Sequence, residues 1–356
     1  MRIKHSLFYL IATLLSIAVF FLAAEGVCRL TGAGKRIATP PLVIWNPAKD
    51  REMRAQGNLF TYDPLLFWKP KPGAQVVPFT GERINSLGLR DWEIKPKKAG
   101  EIRILCLGDS STFGFDLPRH QAYPSRLENR LANALPNPIR VINAGVIGYS
   151  SYQGLVLLKQ LLRLKPDIVT IAFGACNDFF PVALPDNEKA KLTRRFRLLD
   201  SFALTRLLRD ILWSDTPGNE GPVYSRVSLP QFKQNINSMV ALCRAHGAAA
   251  IIISPHRLLH IENNYLAFFQ ENAWYRPELF QPAGLAAYSQ ALEDIANAHK
   301  LPFVDIRRIF RSHPRNGADL FLDAFHPNPA GHLLIAEKIA EQVLRIRAKG
   351  DVPHAN

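Results

Sequence analysis

The sequence predicts an α/β protein, with one parallel sheet covered by helices on both faces and an apolar helix at the N-terminus. Three observations carry this reading. From residue 101 onward, short apolar runs rich in β-branched residues alternate with helix-length stretches, the pattern of strands joined by helical crossovers. Those runs are continuous rather than alternating, as in strands covered on both sides. Ahead of them, residues 7–24 are eighteen residues without a charge, long enough to cross a bilayer.

The chain opens on Arg2, Lys4 and His5 and runs straight into that apolar stretch, so residues 1–30 read as a short tail and a membrane segment. Ala24-Glu25-Gly26 has the small-x-small form of a cleavage site, which keeps a removed signal peptide open. A cleavable apolar region typically spans only about 7–15 residues, which favours an uncleaved single-pass anchor. Arg29, Lys35 and Arg36 beyond the segment balance Arg2 and Lys4 before it, so charge does not fix orientation. The likeness to an export signal puts the tail inside and the body outside, on the periplasmic side of a bacterial inner membrane. Residues 31–98 carry Pro40-Pro41, Pro64, Pro70 and Pro72-Gly73 without a sustained period. They read as an extended or β-rich wrapping segment, because Phe60, Tyr62, Leu65, Leu66, Phe67 and Trp68 need burial.

Residues 99–350 form the α/β domain. Strands are expected at 102–107, 140–143, 168–173, 249–254 and 303–306, and helices at 124–135, 152–164, 229–246, 283–299 and 329–348. The last helix opens on prolines, which suit a helix start. Residues 179–228 are too long for a simple connection and read as a partly helical insertion or lid. Within them Lys189, Lys191, Arg194, Arg195, Arg197, Arg206 and Arg209 alternate with Phe196, Leu198, Leu199, Phe202, Leu204, Leu207 and Leu208. That is a basic amphipathic segment, read as a solvated helix face, with contact to anionic membrane or envelope polymer as the alternative.

The formal charge of +14 admits nucleic acid, anionic lipid or an acidic polymer as neighbour, and no nucleic-acid module accompanies it. Cys28, Cys106, Cys176 and Cys243 lack metal-ligand spacing, and neither a structural disulfide, a metal nor a cofactor is expected.

In an open parallel sheet, ligands bind beyond the carboxyl ends of the strands. The first strand runs into Gly108-Asp109-Ser110-Ser111-Thr112, where a sharp strand-to-helix turn presents a hydroxyl, as in a nucleophile elbow but without the GxSxG pattern. The second ends in Asn143-Ala144-Gly145-Val146-Ile147-Gly148-Tyr149-Ser150, whose backbone amides suit a substrate oxygen. The third ends in Gly174-Ala175-Cys176-Asn177-Asp178. After the fifth come Asp323-Ala324-Phe325-His326-Pro327, a carboxylate and an imidazole three residues apart. Each is weak alone; together they supply every part of an acyl-transfer site.

Ser110, Gly148, Asn177 and His326 in this order resemble the SGNH (GDSL) hydrolase superfamily, and the likeness spans residues 101–348. It implies a three-layer, flavodoxin-like sandwich with a five-stranded parallel sheet. It also implies Ser110 as nucleophile, His326 as base and Asp323 as its orienting acid, with Ser110, Gly148 and Asn177 as the oxyanion hole. The stretch Asn85-Ser86-Leu87-Gly88-Leu89-Arg90 is similar to one in exported, membrane-anchored bacterial members. It reads as a structural turn, with Arg90 as an alternative substrate contact; His256, after the fourth strand, is a second such candidate. The expected activity is hydrolysis of an ester on acylated envelope carbohydrate or lipid. O-acyl transfer to an envelope polysaccharide and a non-catalytic glycan-binding role are the rivals.

Overall fold

The computed structural model describes residues 2–33, 59–76, 78–79, 81–174, 176–196, 199–212, 224–255, 282–313, 317–323 and 325–349. Helix α1, Arg2–Thr31, is apolar on all sides and exposed over most of its length. It is long and apolar enough to cross a membrane, and none of its most apolar window is buried within the protein. The lead-in follows as a hairpin of β1 (Phe60–Asp63) and β2 (Phe67–Pro70). Leu66, Phe67, Trp68 and Leu89 are buried in the main core.

The central sheet contains β3 (Ile102–Gly108), β4 (Ile139–Gly145), β5 (Ile168–Ala172), β8 (Ala249–Ile253) and β9 (Phe303–Val304), all parallel, in the order β4-β3-β5-β8-β9. Strands β6 (Pro181–Val182) and β7 (Tyr224–Ser225) form a separate antiparallel pair at the base of the insertion. The first strand has its neighbours on opposite sides, so successive connections leave in opposite directions and open a crevice at its carboxyl end. The expected strands are all present; the last is shorter than its apolar run.

Side chains alternate between two packed layers although the strands themselves are apolar throughout. Ile104 and Cys106 face helices α3 (Tyr123–Ala132) and α11 (Pro329–Ala348), packing among Leu127, Leu131, Ile335 and Ile339. Leu105 and Leu107 face the other layer, α4 (Ser151–Leu161), α8 (Leu229–Ala245) and α9 (Pro282–His299), with Leu158, Phe232 and Leu292. These helices start where local chemistry dictates. Ser150 and Gln153 form a reciprocal capping box for α4, and Asn328 accepts the amides of Ala330 and Gly331 ahead of α11.

The remaining helices are α2 (Ser110–Phe113), α5 (Cys176–Phe179), α6 (Asp186–Arg195), α7 (Ala203–Leu212) and α10 (Ile306–Arg311). Helices α6 and α7 lie between β5 and α8. Cys28, Cys106 and Cys243 are free and buried.

Candidate active site

Strand β3 ends at Gly108, and the chain turns directly into the single-turn helix α2, whose first residue is Ser110. Asp109 caps that helix by accepting the Ser111 amide at 3.0 Å. The neighbouring strand must come very close for this turn to fit. A Cβ on Gly145 would lie 2.1 Å from the Phe113 nitrogen, so only glycine lets β4 end there.

Ser110 and His326 are both buried and meet across 216 residues of sequence, with Oγ 2.9 Å from the imidazole Nε2. The other ring nitrogen, Nδ1, lies 2.8 Å from Asp323 Oδ2. Asp323 Oδ1 accepts the amides of Phe325 and His326, each at 2.8 Å, which ties the carboxylate to the loop carrying the imidazole. Phe115 stacks on the His326 ring with centroids 4.5 Å apart. Burial pushes the Asp323 pKa upward, but its electrostatic pairing with the His326 ring and the bonds from that ring and from the two amides outweigh this and hold it at about 2.

Asn177 lies in the single-turn helix α5 that follows β5, with its amide nitrogen donating to Asp109 Oδ2 at 3.1 Å, so the residue before the serine also orients the asparagine. The Gly148 loop is held from outside the motif. The Trp68 indole donates to the Ile147 carbonyl at 3.0 Å, and that peptide carries the Gly148 N–H. In a planar trans peptide, fixing the carbonyl fixes the opposed N–H. Gly148 itself has φ 78°, a conformation that favours glycine. Its carbonyl accepts from the Arg226 guanidinium at 2.7 Å, and Arg226 also bonds Gln153 and Asp186.

Two sequence expectations fare differently. Arg90, the alternative substrate contact, is buried, pairs with Glu82 at 2.6 Å, and donates to the carbonyls of Phe113, Gly114 and Leu117. Those bonds tie the Arg90 segment to the chain just after α2. His256 lies outside the described residues, as do Ala175 and Ala324. Trp68, Arg226, Asp109 and Phe115 were not singled out. Of these only Asp109 carried a sequence signal, its place in the serine motif.

A doubly covered parallel sheet with serine, imidazole and carboxylate in one hydrogen-bonded row beyond its strand ends has the geometry of a hydrolase that attacks an acyl group through serine. The chain belongs to the GDSL-like Lipase/Acylhydrolase family, whose sequence model matches residues 106–334. It is 31% identical over 124 residues to an arylesterase of Vibrio mimicus, a match covering 35% of this chain and 60% of that protein's length. It is 24% identical over 202 residues to the thioesterase 1/protease 1/lysophospholipase L1 of Escherichia coli strain K12, covering 56% and 83%. Among solved structures it is similar to the lipase/acylhydrolase from Enterococcus faecalis, at 21% identity over 70% of this chain and 96% of that one, with a TM-score of 0.46.

Proposed function

We propose that this chain is a serine ester hydrolase held at a membrane, acting on acylated envelope glycan or lipid through Ser110, His326 and Asp323. A neutral serine hydroxyl is a weak nucleophile and needs a base within hydrogen-bond reach. His326 Nε2 takes the Ser110 proton as Oγ attacks the ester carbonyl, and Asp323 holds the ring tautomer and stabilises the imidazolium. The tetrahedral oxyanion is met by the backbone N–H groups of Ser110 and Gly148 and the Asn177 side-chain amide. Collapse expels the alcohol with the proton from His326 and leaves an acyl-serine. Water then repeats the sequence, releasing acid and restoring the hydroxyl. The observation that carries the reading is the unbroken row from Asp323 through His326 to Ser110, at 2.8 and 2.9 Å.

Residues 1–30 serve as the anchor, 31–98 as the wrapping segment, and 99–350 as the catalytic domain with its insertion at 179–228. The anchor reading is supported by the exposed apolar surface of α1, and the extracytoplasmic placement by its likeness to an export signal.

The test is Ser110→Ala. The variant is expected to keep its circular dichroism spectrum while losing both p-nitrophenyl acetate hydrolysis and labelling by a fluorophosphonate. A folded Ser110→Ala protein with full activity would end the assignment. Asn177→Ala is expected to lower kcat by roughly 10² to 10³-fold with little change in KM; an unchanged kcat would remove Asn177 from the oxyanion hole.

A further inference from the structure

The insertion carries a surface that ester hydrolysis does not use. Helix α7 is strongly amphipathic, with Leu204, Leu207 and Leu208 beside Arg206. Its first amides, Ala203 and Leu204, donate to the two Glu25 carboxylate oxygens of α1 at 2.9 and 2.8 Å. Arg29 pairs with Glu25 at 2.6 Å and donates to the Ser201 carbonyl at 3.3 Å. One turn before Glu25, Phe21 meets Phe202 edge-on with ring centroids 5.3 Å apart. The insertion is therefore fixed to α1 along Phe21–Arg29, roughly 12 Å of helix at about 1.5 Å per residue.

That height has a meaning if α1 spans a bilayer. A hydrocarbon core takes about 20 helical residues, which from His5 carries the span to about residue 24. The docked segment then lies where α1 leaves the hydrocarbon. Leu199 and Leu208 are there 47% and 48% exposed, with Arg194, Arg195 and Arg206 on the same insertion. Leu208 and Arg206 lie on α7, Leu199 in the turn that leads into it, and this mix of exposed leucine and arginine parallels the composition of helices that lie in the bilayer interface. The basic groups complement anionic headgroups.

We propose that residues 199–208 form a membrane-contacting collar, seated in the headgroup and upper acyl region of a bilayer containing anionic lipid, with Glu25 setting its depth. The proposal rests on the reading of α1 as a membrane span. The insertion returns from the collar to the site, since the Val227 amide donates to the Asp178 carbonyl at 2.7 Å, beside Asn177. The collar thus fixes how Ser110 stands relative to the membrane and favours an ester presented at the lipid surface.

The test uses the full chain in nanodiscs of phosphatidylcholine and phosphatidylglycerol, with photoreactive benzoylphenylalanine replacing Leu199, Leu208, Leu14 or Leu333 in turn. Each variant is first checked for p-nitrophenyl acetate hydrolysis, and lipid adducts are read by intact mass. Leu14 lies within α1, and Leu333 is an exposed leucine on α11. Lipid adducts at 199 and 208 severalfold above the yield at 333 are expected. A yield at 199 and 208 no higher than at 333, with strong adducts at 14, overturns the collar and leaves the anchor standing. No adduct at 14 overturns the anchor reading itself. Adducts at 199 and 208 with the mass of a second chain assign the surface to self-association and likewise overturn the proposal.

Discussion

Trp68 lies 79 residues from the carbonyl it holds, and the consequence is confined to one hydrogen bond. Trp68→Phe keeps most of the ring packed against Tyr149 and deletes only the indole donor. A net hydrogen bond contributes about 1 kcal/mol, so the expected result is a kcat lowered roughly three- to tenfold. KM should hold, because the Gly148 amide is asked to meet charge that exists only in the transition state. Equal activity in the two proteins would show that the loop keeps its place without Trp68. At the other end of the row, Asp323→Asn offers a neutral amide where the imidazolium needs a charge, and kcat is expected to fall by roughly 10² to 10⁴-fold. A kcat within a few-fold of wild type would transfer the orienting role to another group. That Ser110, Asp323 and His326 would meet was legible in the sequence, because strand ends are where this architecture brings its loops together. Trp68 and Arg226 were not, because a side chain reaching a distant backbone carbonyl leaves no spacing or period. The bonds of Arg90 were hidden for a related reason: an arginine in a polar turn looks available, and only the fold reveals the three carbonyls around it.

Elements meet most tightly where β4 ends against α2. Gly145→Ala would drive a methyl into the Phe113 amide, and backbone there cannot swing aside as a side chain can. Overpacking of this kind costs typically about 1–3 kcal/mol, read as a lower urea midpoint. An unshifted midpoint would mean that the serine turn is looser than its geometry. Beneath the same strand ends, Asp178 joins β5 to α4 by accepting the Ser151 amide at 2.7 Å and the Gly174 amide at 3.0 Å. Full burial raises its pKa from 3.8 to about 6, against those bonds and the Arg226 charge. The folded protein therefore holds this proton more tightly than the unfolded chain. Its contribution to stability is complete below about pH 4 and declines as pH rises to about 6. Urea denaturation should show the wild-type advantage over Asp178→Asn shrinking across that window, and a constant difference would contradict a protonated buried carboxyl. The sheet itself was readable because both its faces are covered, which makes each strand an unbroken apolar run. The fifth run was read too long, as 303–306, since Asp305 and Ile306 already cap and begin α10.

At the scale of the whole molecule, the open question in the sequence was whether the first helix stays. Charge on either side was balanced, and a small-x-small site offered cleavage. The contact between α1 and the insertion bears on it directly. Cleavage after Gly26 would remove Glu25, and with it the acceptor for the Ala203 and Leu204 amides that start α7. Helix starts left without acceptors are destabilised, by about 1 kcal/mol where a capping side chain is lost. Removal would also strip Phe21 from Phe202. Both contacts exist only while α1 remains joined to the domain. The expectation is that the expressed protein stays with the membrane fraction through an alkaline carbonate wash and that its mass includes residues 2–26. A soluble, active protein beginning at Val27 would show that the domain tolerates the loss, and the anchor would reduce to an export signal.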